Sequence, residues 1–134
     1  MQGGGLMPAS FDIEGLAQIQ KRIEKLGKQG RRIENDAIQA GAKIVAERMR
    51  REVPVSNIDH LHIRDDIHVS KTKRQQGIAY AEVGPGQETA WRARFLELGT
   101  VKMAPRPFIS KAGELSRNKA LEAIKQELRK GLGL

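Results

Sequence analysis

Residues 95–108, Phe-Leu-Glu-Leu-Gly-Thr-Val-Lys-Met-Ala-Pro-Arg-Pro-Phe, restrict the fold more than any other stretch of the chain. Pro105 and Pro107 each lack a backbone N–H and have φ fixed near about −65°, so neither a central strand nor a helix interior can run through them. The apolar run before them must stop, and Gly99 is where it stops. Phe95, Leu96 and Leu98 surround one acid, Glu97, which reads as a short strand carrying a carboxylate. Such a carboxylate either faces solvent or is paired. Phe108 follows the second proline and opens a long amphipathic helical pattern. The stretch predicts a strand, a rigid extended turn, and a helix launched from an aromatic anchor.

Upstream, residues 1–10 contain Gly3-Gly4-Gly5 and Pro8 and read as a flexible arm, leaving 11–134 as a single domain. Ser10 or Asp12 is placed to cap a helix. Leu16, Ile19, Ile23 and Leu26 then form a helical stripe. Gly27 and Gly30 interrupt it, each costing about 1 kcal/mol in a helix interior. The stripe resumes at Ile33, Ala37, Ala40 and Ile44 and continues through Val45, Met49 and Val53 to Pro54. Phase survives across the glycines, so one long helix with a weak point and two helices with a turn both fit; the glycine pair favours the turn. Ala37, Ala40, Gly41, Ala42 and Ala46 make a small-residue face. It reflects either plain helix propensity or the close approach of another backbone.

Residues 54–65 form a connection, after which the period becomes two. Ile67 to about Thr72 reads as a half-buried strand, 73–77 as a polar turn, and Ile78–Val83 as a second strand, together an antiparallel hairpin. Residues 87–92 read as a loop or short helical turn holding Trp91, and Ala93–Leu98 as a third strand. The last helix runs from Phe108 to about Lys130, with Ile109, Ala112, Leu115, Ala120, Ala123, Ile124 and Leu128 on its apolar side. The predicted class is α+β, with a small antiparallel sheet of about three to four strands packed against a long N-terminal helical region and a C-terminal helix.

Composition narrows the function. The chain has no cysteine, which excludes disulfides and thiolate metal sites. Aromatics are 4% of residues, too few for a stacking platform for single-stranded nucleic acid. No apolar run approaches the roughly 20 residues that span a bilayer, and residues 1–10 lack the basic-then-apolar pattern of a secretion signal. The net charge of +8 either favours anionic partners or simply keeps the protein soluble. Arg48, Arg50 and Arg51 with Lys71, Lys73 and Arg74 are the residues that would line a sequence-blind phosphate track. No DNA-reading module accompanies them, so a small basic DNA-binding protein without catalytic activity stands as the alternative function.

Candidate chemistry is thin. Asp59, His60, His62, Asp65, Asp66 and His68 include proper ligands for zinc or a manganese-like ion. Their spacing matches no metal motif, and a polar loop entering a half-buried strand yields the same residues. Ser10, Ser56, Ser70, Ser110 and Ser116 sit in no nucleophile elbow. Gly84-Pro85-Gly86 lacks the Lys-Ser/Thr of a phosphate loop. Asp65 and Asp66 point to opposite faces of a strand and cannot share an acid–base task. The sequence predicts no enzyme, with no catalytic, metal-binding or cofactor-binding residues.

Several segments in order carry a resemblance: Val53-Pro54-Val55 after a long helical region, Leu61-His62-Ile63-Arg64-Asp65-Asp66-Ile67, then Tyr80-Ala81. Phe95, Glu97, Gly99 and Thr100 follow in a Phe-x-Glu-x-Gly-Thr pattern, and last come Pro105, Pro107, Phe108 and Ala112. In these the chain resembles the tail-component family of lambda-like tailed bacteriophages, also called neck, head–tail joining or tail-completion proteins. The likeness spans about residues 30–130. It departs from the family pattern where Gly is missing before the Leu-Arg step, where Asp66 replaces Ser, and in an insertion carrying Trp91. The resemblance implies a non-enzymatic structural subunit of a phage or prophage head–tail junction, made in the host cytoplasm and placed in the virion. It would form a homo-oligomeric ring between connector and tail tube. Its implied partners are head-completion or connector proteins and tail-tube or tail-terminator proteins, with DNA nearby and no membrane. A ring needs one patch meeting a different patch on its neighbour. The expected patch is Phe95, Glu97, Gly99, Thr100, Pro105, Pro107 and Phe108 with the C-terminal helix, set against the strand face of the next subunit. Glu97 is then expected to pair with Arg92, Arg94 or Arg106.

Overall fold

A single glycine divides the N-terminal helical region in two. The computed structural model of the chain describes residues 13–134, so the arm expected at 1–10 and the caps expected at Ser10 and Asp12 lie outside the described residues. Helix α1 spans Ile13–Leu26 and α2 spans Lys28–Glu52. Gly27 between them has φ +57°, a left-handed value that is cheap only without a Cβ. Helix–turn–helix is therefore the reading adopted. Gly30 is not the break. It is buried inside α2, where a Cβ would stand 2.1 Å from the Ile23 carbonyl oxygen. Its missing side chain lets α1 fold back against the start of α2.

Beyond Pro54 a connection leads to a 3-10 turn at Ile63–Asp66 and then to four short strands. These are β1 (Ile67–Val69), β2 (Lys73–Gln75), β3 (Ile78–Tyr80) and β4 (Val83–Pro85). β1 pairs antiparallel with β4, and β2 with β3. The pairs are successive parts of one hairpin, as the period-two pattern predicted. Val69 opposes Val83 but Lys73 opposes Tyr80, so the first arm carries one extra residue. That bulge splits the hairpin into two two-stranded sheets. Ser70 carries the ladder up to the bulge: its N–H donates to the Glu82 carbonyl, and its hydroxyl accepts the Glu82 N–H, both at 2.8 Å. At the tip Gln76 and Gly77 have φ +53° and +80°, the primed two-residue turn whose twist suits a hairpin. The turn is thus shorter than the expected 73–77. Helix α2 supports the hairpin. The Gln39 amide donates to the Ser70 carbonyl at 2.9 Å, and Arg50 donates to the Ile67 carbonyl at 2.9 Å.

The strand expected at 93–98 is a helix. α3 spans Ala90–Leu98. An apolar run this short is ambiguous by alternation alone, and what decides it is composition. No residue from 90 to 98 is β-branched, and Ala, Arg, Leu and Glu dominate. Gly99 closes the helix with φ +79°, its N–H donating to the Phe95 carbonyl at 2.7 Å. Thr100 and Met103 then bridge each other, and the Arg106 N–H donates to the Leu96 carbonyl at 2.6 Å. The proline segment therefore returns along α3 as a rigid extended stretch. A Cβ on Gly99 would stand 2.8 Å from the Pro105 nitrogen, which ties the glycine to this return. The final helix, α4, spans Ile109–Leu132. The fold is α+β: the described residues form four α-helices and two small antiparallel sheets of two strands each.

α2 and α4 lie antiparallel in close contact. A Cβ on Gly41 would stand 2.7 Å from Ile124 Cγ1, and one on Gly131 would stand 2.6 Å from Ile33 Cγ2. The small face of α2 thus serves helix packing within the subunit. Its buried stripe runs through Gly41, Ala42 and Ala46, whereas Ala40 and Ile44, expected inside, are only partly covered. On α4, Leu115, expected on the apolar side, is half exposed, while Ser116 is buried. A close helix seam admits small side chains and moves bulky ones to its flanks. Ser116 tolerates burial because its hydroxyl donates to the Ala112 carbonyl at 2.6 Å. Two apolar clusters result. Ile33, Ala37, Leu128 and Leu132 close one end of α2 with Ile19, Ile23 and Ile124. At the other end Ala46, Met49, Val53, Ile63, Ile67, Ala93, Phe108 and Ala112 form the main core.

Candidate assembly interface

α3 is fixed at both ends by carboxylates. At its start Thr89 is fully buried and its hydroxyl donates to Asp66 Oδ2 at 2.8 Å. The Asp66 carbonyl accepts the Gly86 N–H at 2.9 Å, and Asp66 Oδ1 meets His68 Nε2 at 2.8 Å. The Thr89 hydroxyl first, and then His68, hold the Asp66 carboxyl below its usual range in spite of burial.

At the other end of α3, Glu97 reaches the first turn of α4. Its Oε1 accepts the Ile109 N–H at 2.9 Å, and its Oε2 accepts the Ser110 N–H at 3.1 Å and the Ser110 hydroxyl. Phe108 offers no capping side chain, and the first turn of α4 holds no acid. Glu97 therefore supplies both the missing hydrogen-bond acceptor and the negative charge favoured at a helix N-terminus. Partial burial pushes its pKa up, but the hydrogen bonds from Ser110, Ile109 and Phe108 outweigh that and leave it below the usual value. The acid that stood alone in the sequence is paired with backbone amides of α4, where an arginine partner was expected.

Held this way, α3 turns Ala93 inward and Trp91, Phe95 and Leu98 outward. These three are 59%, 47% and 69% exposed, at the i, i+4, i+7 spacing of one helix face. The Trp91 and Phe95 rings meet edge to face at 6.1 Å. Val101 in the following turn is fully exposed. Beside them lies a groove of about 420 Å³ floored by Val55, Ile63, Leu96 and Met103 and rimmed by His60, His62, Arg92 and Arg106. Arg92 reaches across that rim to His60 Nε2 at 2.6 Å and to the Leu61 carbonyl. Local desolvation and then the Arg92 charge hold His60 below its usual pKa.

Of the residues expected to form the patch, Phe95, Thr100, Pro105 and Pro107 are exposed and Gly99 is half covered. Glu97 is half covered and engaged with α4. Phe108 is 1% exposed and belongs to the main core; as the anchor of the segment it cannot face a neighbour. Trp91 and Leu98 were not in the expected patch. Their spacing with Phe95 was visible but carries meaning only once 90–98 is read as a helix. His60 and His62 stack edge to face at 5.3 Å while His68 turns to Asp66; among the described residues no three metal-ligating side chains converge. Of the six residues that would line a phosphate track, four have internal partners: Arg48 pairs with Glu52, Arg50 with the Ile67 carbonyl, Lys73 with Glu82 and Arg74 with Glu34. Among the described residues no helix is long and apolar enough to cross a membrane.

The fold and this face define a small α+β protein whose most distinctive surface is an apolar helix clamped at both ends. The chain belongs to a phage tail-component family: the family model described as "Bacteriophage HK97-gp10, putative tail-component" matches residues 17–99. The matched region runs from within α1 through α3, including Val53-Pro54-Val55, Tyr80-Ala81, and Phe95, Glu97 and Gly99; the proline segment and α4 follow it. No curated protein and no solved structure matches the chain.

Proposed function

We propose that this phage structural protein is a non-catalytic subunit of the head–tail junction, assembling as a ring between connector and tail tube. The carrying observation is the outer face of α3. Three large apolar side chains stand in water on a short helix fixed by Asp66 at one end and Glu97 at the other. Rigid mounting lowers the entropy lost on docking, and exposed apolar patches of this kind mark interaction sites. In the ring, Phe95, Thr100, Pro105 and Pro107, joined by Trp91, Leu98 and Val101, meet a different surface of the next subunit. The outer side of the hairpin, where Ile78 is 67% exposed, is that surface. Connector or head-completion proteins and tail-tube or tail-terminator proteins are the axial partners.

The test is native mass spectrometry of the full chain with purified connector and with tail-tube protein. A ring-sized assembly on either one, lost in Phe95→Ser/Leu98→Ser, is the expected result. A monomer that binds neither partner overturns the proposal.

A further inference from the structure

We propose that the end of the helical bundle remote from α3 is a contact site for the phosphate backbone of duplex nucleic acid. Three helix ends converge there. Gly30 brings α1 onto α2, Gly131 brings α4 onto Ile33, and the Arg22 guanidinium donates to the Leu132 carbonyl at 3.1 Å. Residues 18–34 and 128–134, separated by most of the chain, become one surface. Together they hold eight Lys and Arg but two Glu, and one of these, Glu34, is paired with Arg74 of the hairpin. Most of the chain's net +8 therefore gathers at one end. Lys21, Lys25, Lys28, Arg31, Arg32 and Arg129 are all exposed, while the apolar cluster of Ile33, Ala37, Leu128 and Leu132 holds the helices beneath them.

Charge of one sign collected on a rigid surface selects a polyanion. The absence of rings selects which kind. Residues 18–34 and 128–134 contain no aromatic side chain, so unstacked bases of a single strand find no platform. A duplex presents its charge at the surface and needs only cations, bound without regard to sequence. The site also leaves the α3 face free. The two apolar clusters occupy α2 around Ala37 and around Met49, about 18 Å apart at 1.5 Å per residue. A subunit can dock through α3 and hold duplex through the other end at once.

The experiment is fluorescence anisotropy of a labelled duplex with the full chain across a salt series. Binding should weaken steeply and log-linearly with salt. The variant Lys25→Ser/Arg31→Ser/Arg32→Ser should bind at least about tenfold more weakly at ~0.1 M salt, with a slope shallower by about one for each phosphate contact removed. Lys21→Ser/Lys130→Ser tests the outer helices and should reduce the slope in the same direction. The control Arg51→Ser/Lys71→Ser/Lys102→Ser makes the same change in net charge elsewhere and should bind like the parent. Equal weakening in the control, or no binding at low salt, overturns the proposal. So does displacement of the duplex by polyglutamate at equal charge concentration, which would point to an acidic protein surface instead. None of these readouts depends on ring formation, so the two proposals fail separately.

Discussion

Glu97 Oε1 accepts the backbone N–H of Ile109 at 2.9 Å, closing a bond between the last turn of α3 and the first turn of α4. The prolines between them have no N–H with which to satisfy any acceptor, and Phe108 cannot cap. A side chain from the preceding helix does it instead. The bond fixes the angle between the outward-facing helix and the helix that packs along α2, so the exposed face is referenced to the core.

Removing that cap should cost what a helix cap is worth. Glu97→Ala is expected to lower stability by about 1–2 kcal/mol in urea unfolding. Glu97→Gln retains one carbonyl acceptor and should lose less. The pH dependence has a definite sign. The carboxyl is held below its usual value in the folded state, so its contribution is complete above about pH 4.3, the ordinary Glu pKa. That contribution falls away as pH drops through the lower folded value. The stability gap between the parent and Glu97→Ala should therefore close on acidification below about pH 4.

That acid also shows how far the sequence could be read. Its isolation among Phe95, Leu96 and Leu98 left it either facing solvent or paired; it is paired, and the partner is a set of amides. Backbone N–H donors are present at every residue but proline and leave no mark in a sequence. The break at Gly27 was legible because two glycines are costly in a helix, and the hairpin was legible from its period. The bulge was not, since one extra residue at 70–72 changes no pattern of burial that alternation records. α3 was misread because Phe-Leu-Glu-Leu is a short apolar run with one acid, which fits a strand as well as a helix. The absence of β-branching over the longer window 90–98 was the stronger signal. The hidden use of Phe108 followed from the same error: without α3, nothing indicated that it joins Ala93, Met49 and Ala112 in the main core.

The α2–α4 seam makes a sharper prediction. Alanine at 41 gains about 1 kcal/mol of helix propensity over glycine, yet its Cβ would sit 2.7 Å from Ile124 Cγ1 and 3.2 Å from the Ala120 carbonyl oxygen. Overpacking of that order costs about 1–3 kcal/mol, so the clash should win and Gly41→Ala should destabilise. In an Ile124→Ala background the nearer clash is gone and the same substitution should be neutral or stabilising. A double-mutant cycle by urea unfolding should therefore give a coupling of at least about 1 kcal/mol. Simple additivity would show that the seam is looser than described.

Thr89 and Asp66 offer a test of the other clamp. Thr89→Val keeps shape but removes the hydroxyl that donates to Asp66 Oδ2, leaving a buried carboxylate oxygen short of a donor. The expected cost is about 1–3 kcal/mol. Asp66 is held low in the folded state by Thr89 and His68, so this contribution too is present above the ordinary Asp pKa of about 3.9 and is lost as pH falls further. In Thr89→Val the Asp66 carboxyl should titrate at higher pH than in the parent, which carbon-detected NMR of the side chain reads directly. An unchanged titration would mean that the hydroxyl does not hold the carboxylate.

The last prediction separates surface from scaffold. Phe95 and Leu98 are about half and two-thirds exposed, so replacing both with serine removes little buried area, and each surface change should stay within about 0.5 kcal/mol. The thermal midpoint of Phe95→Ser/Leu98→Ser should lie close to that of the parent. Phe108→Ala, in contrast, empties the main core and should cost about 3–5 kcal/mol. If the outer face of α3 is a docking surface, the double serine variant loses assembly on connector or tail-tube protein while remaining folded. Weak assembly of Phe108→Ala would then reflect its fraction folded alone. Measuring unfolding and assembly on the same preparations distinguishes the two. A double variant that unfolds like Phe108→Ala would show that these side chains serve the core.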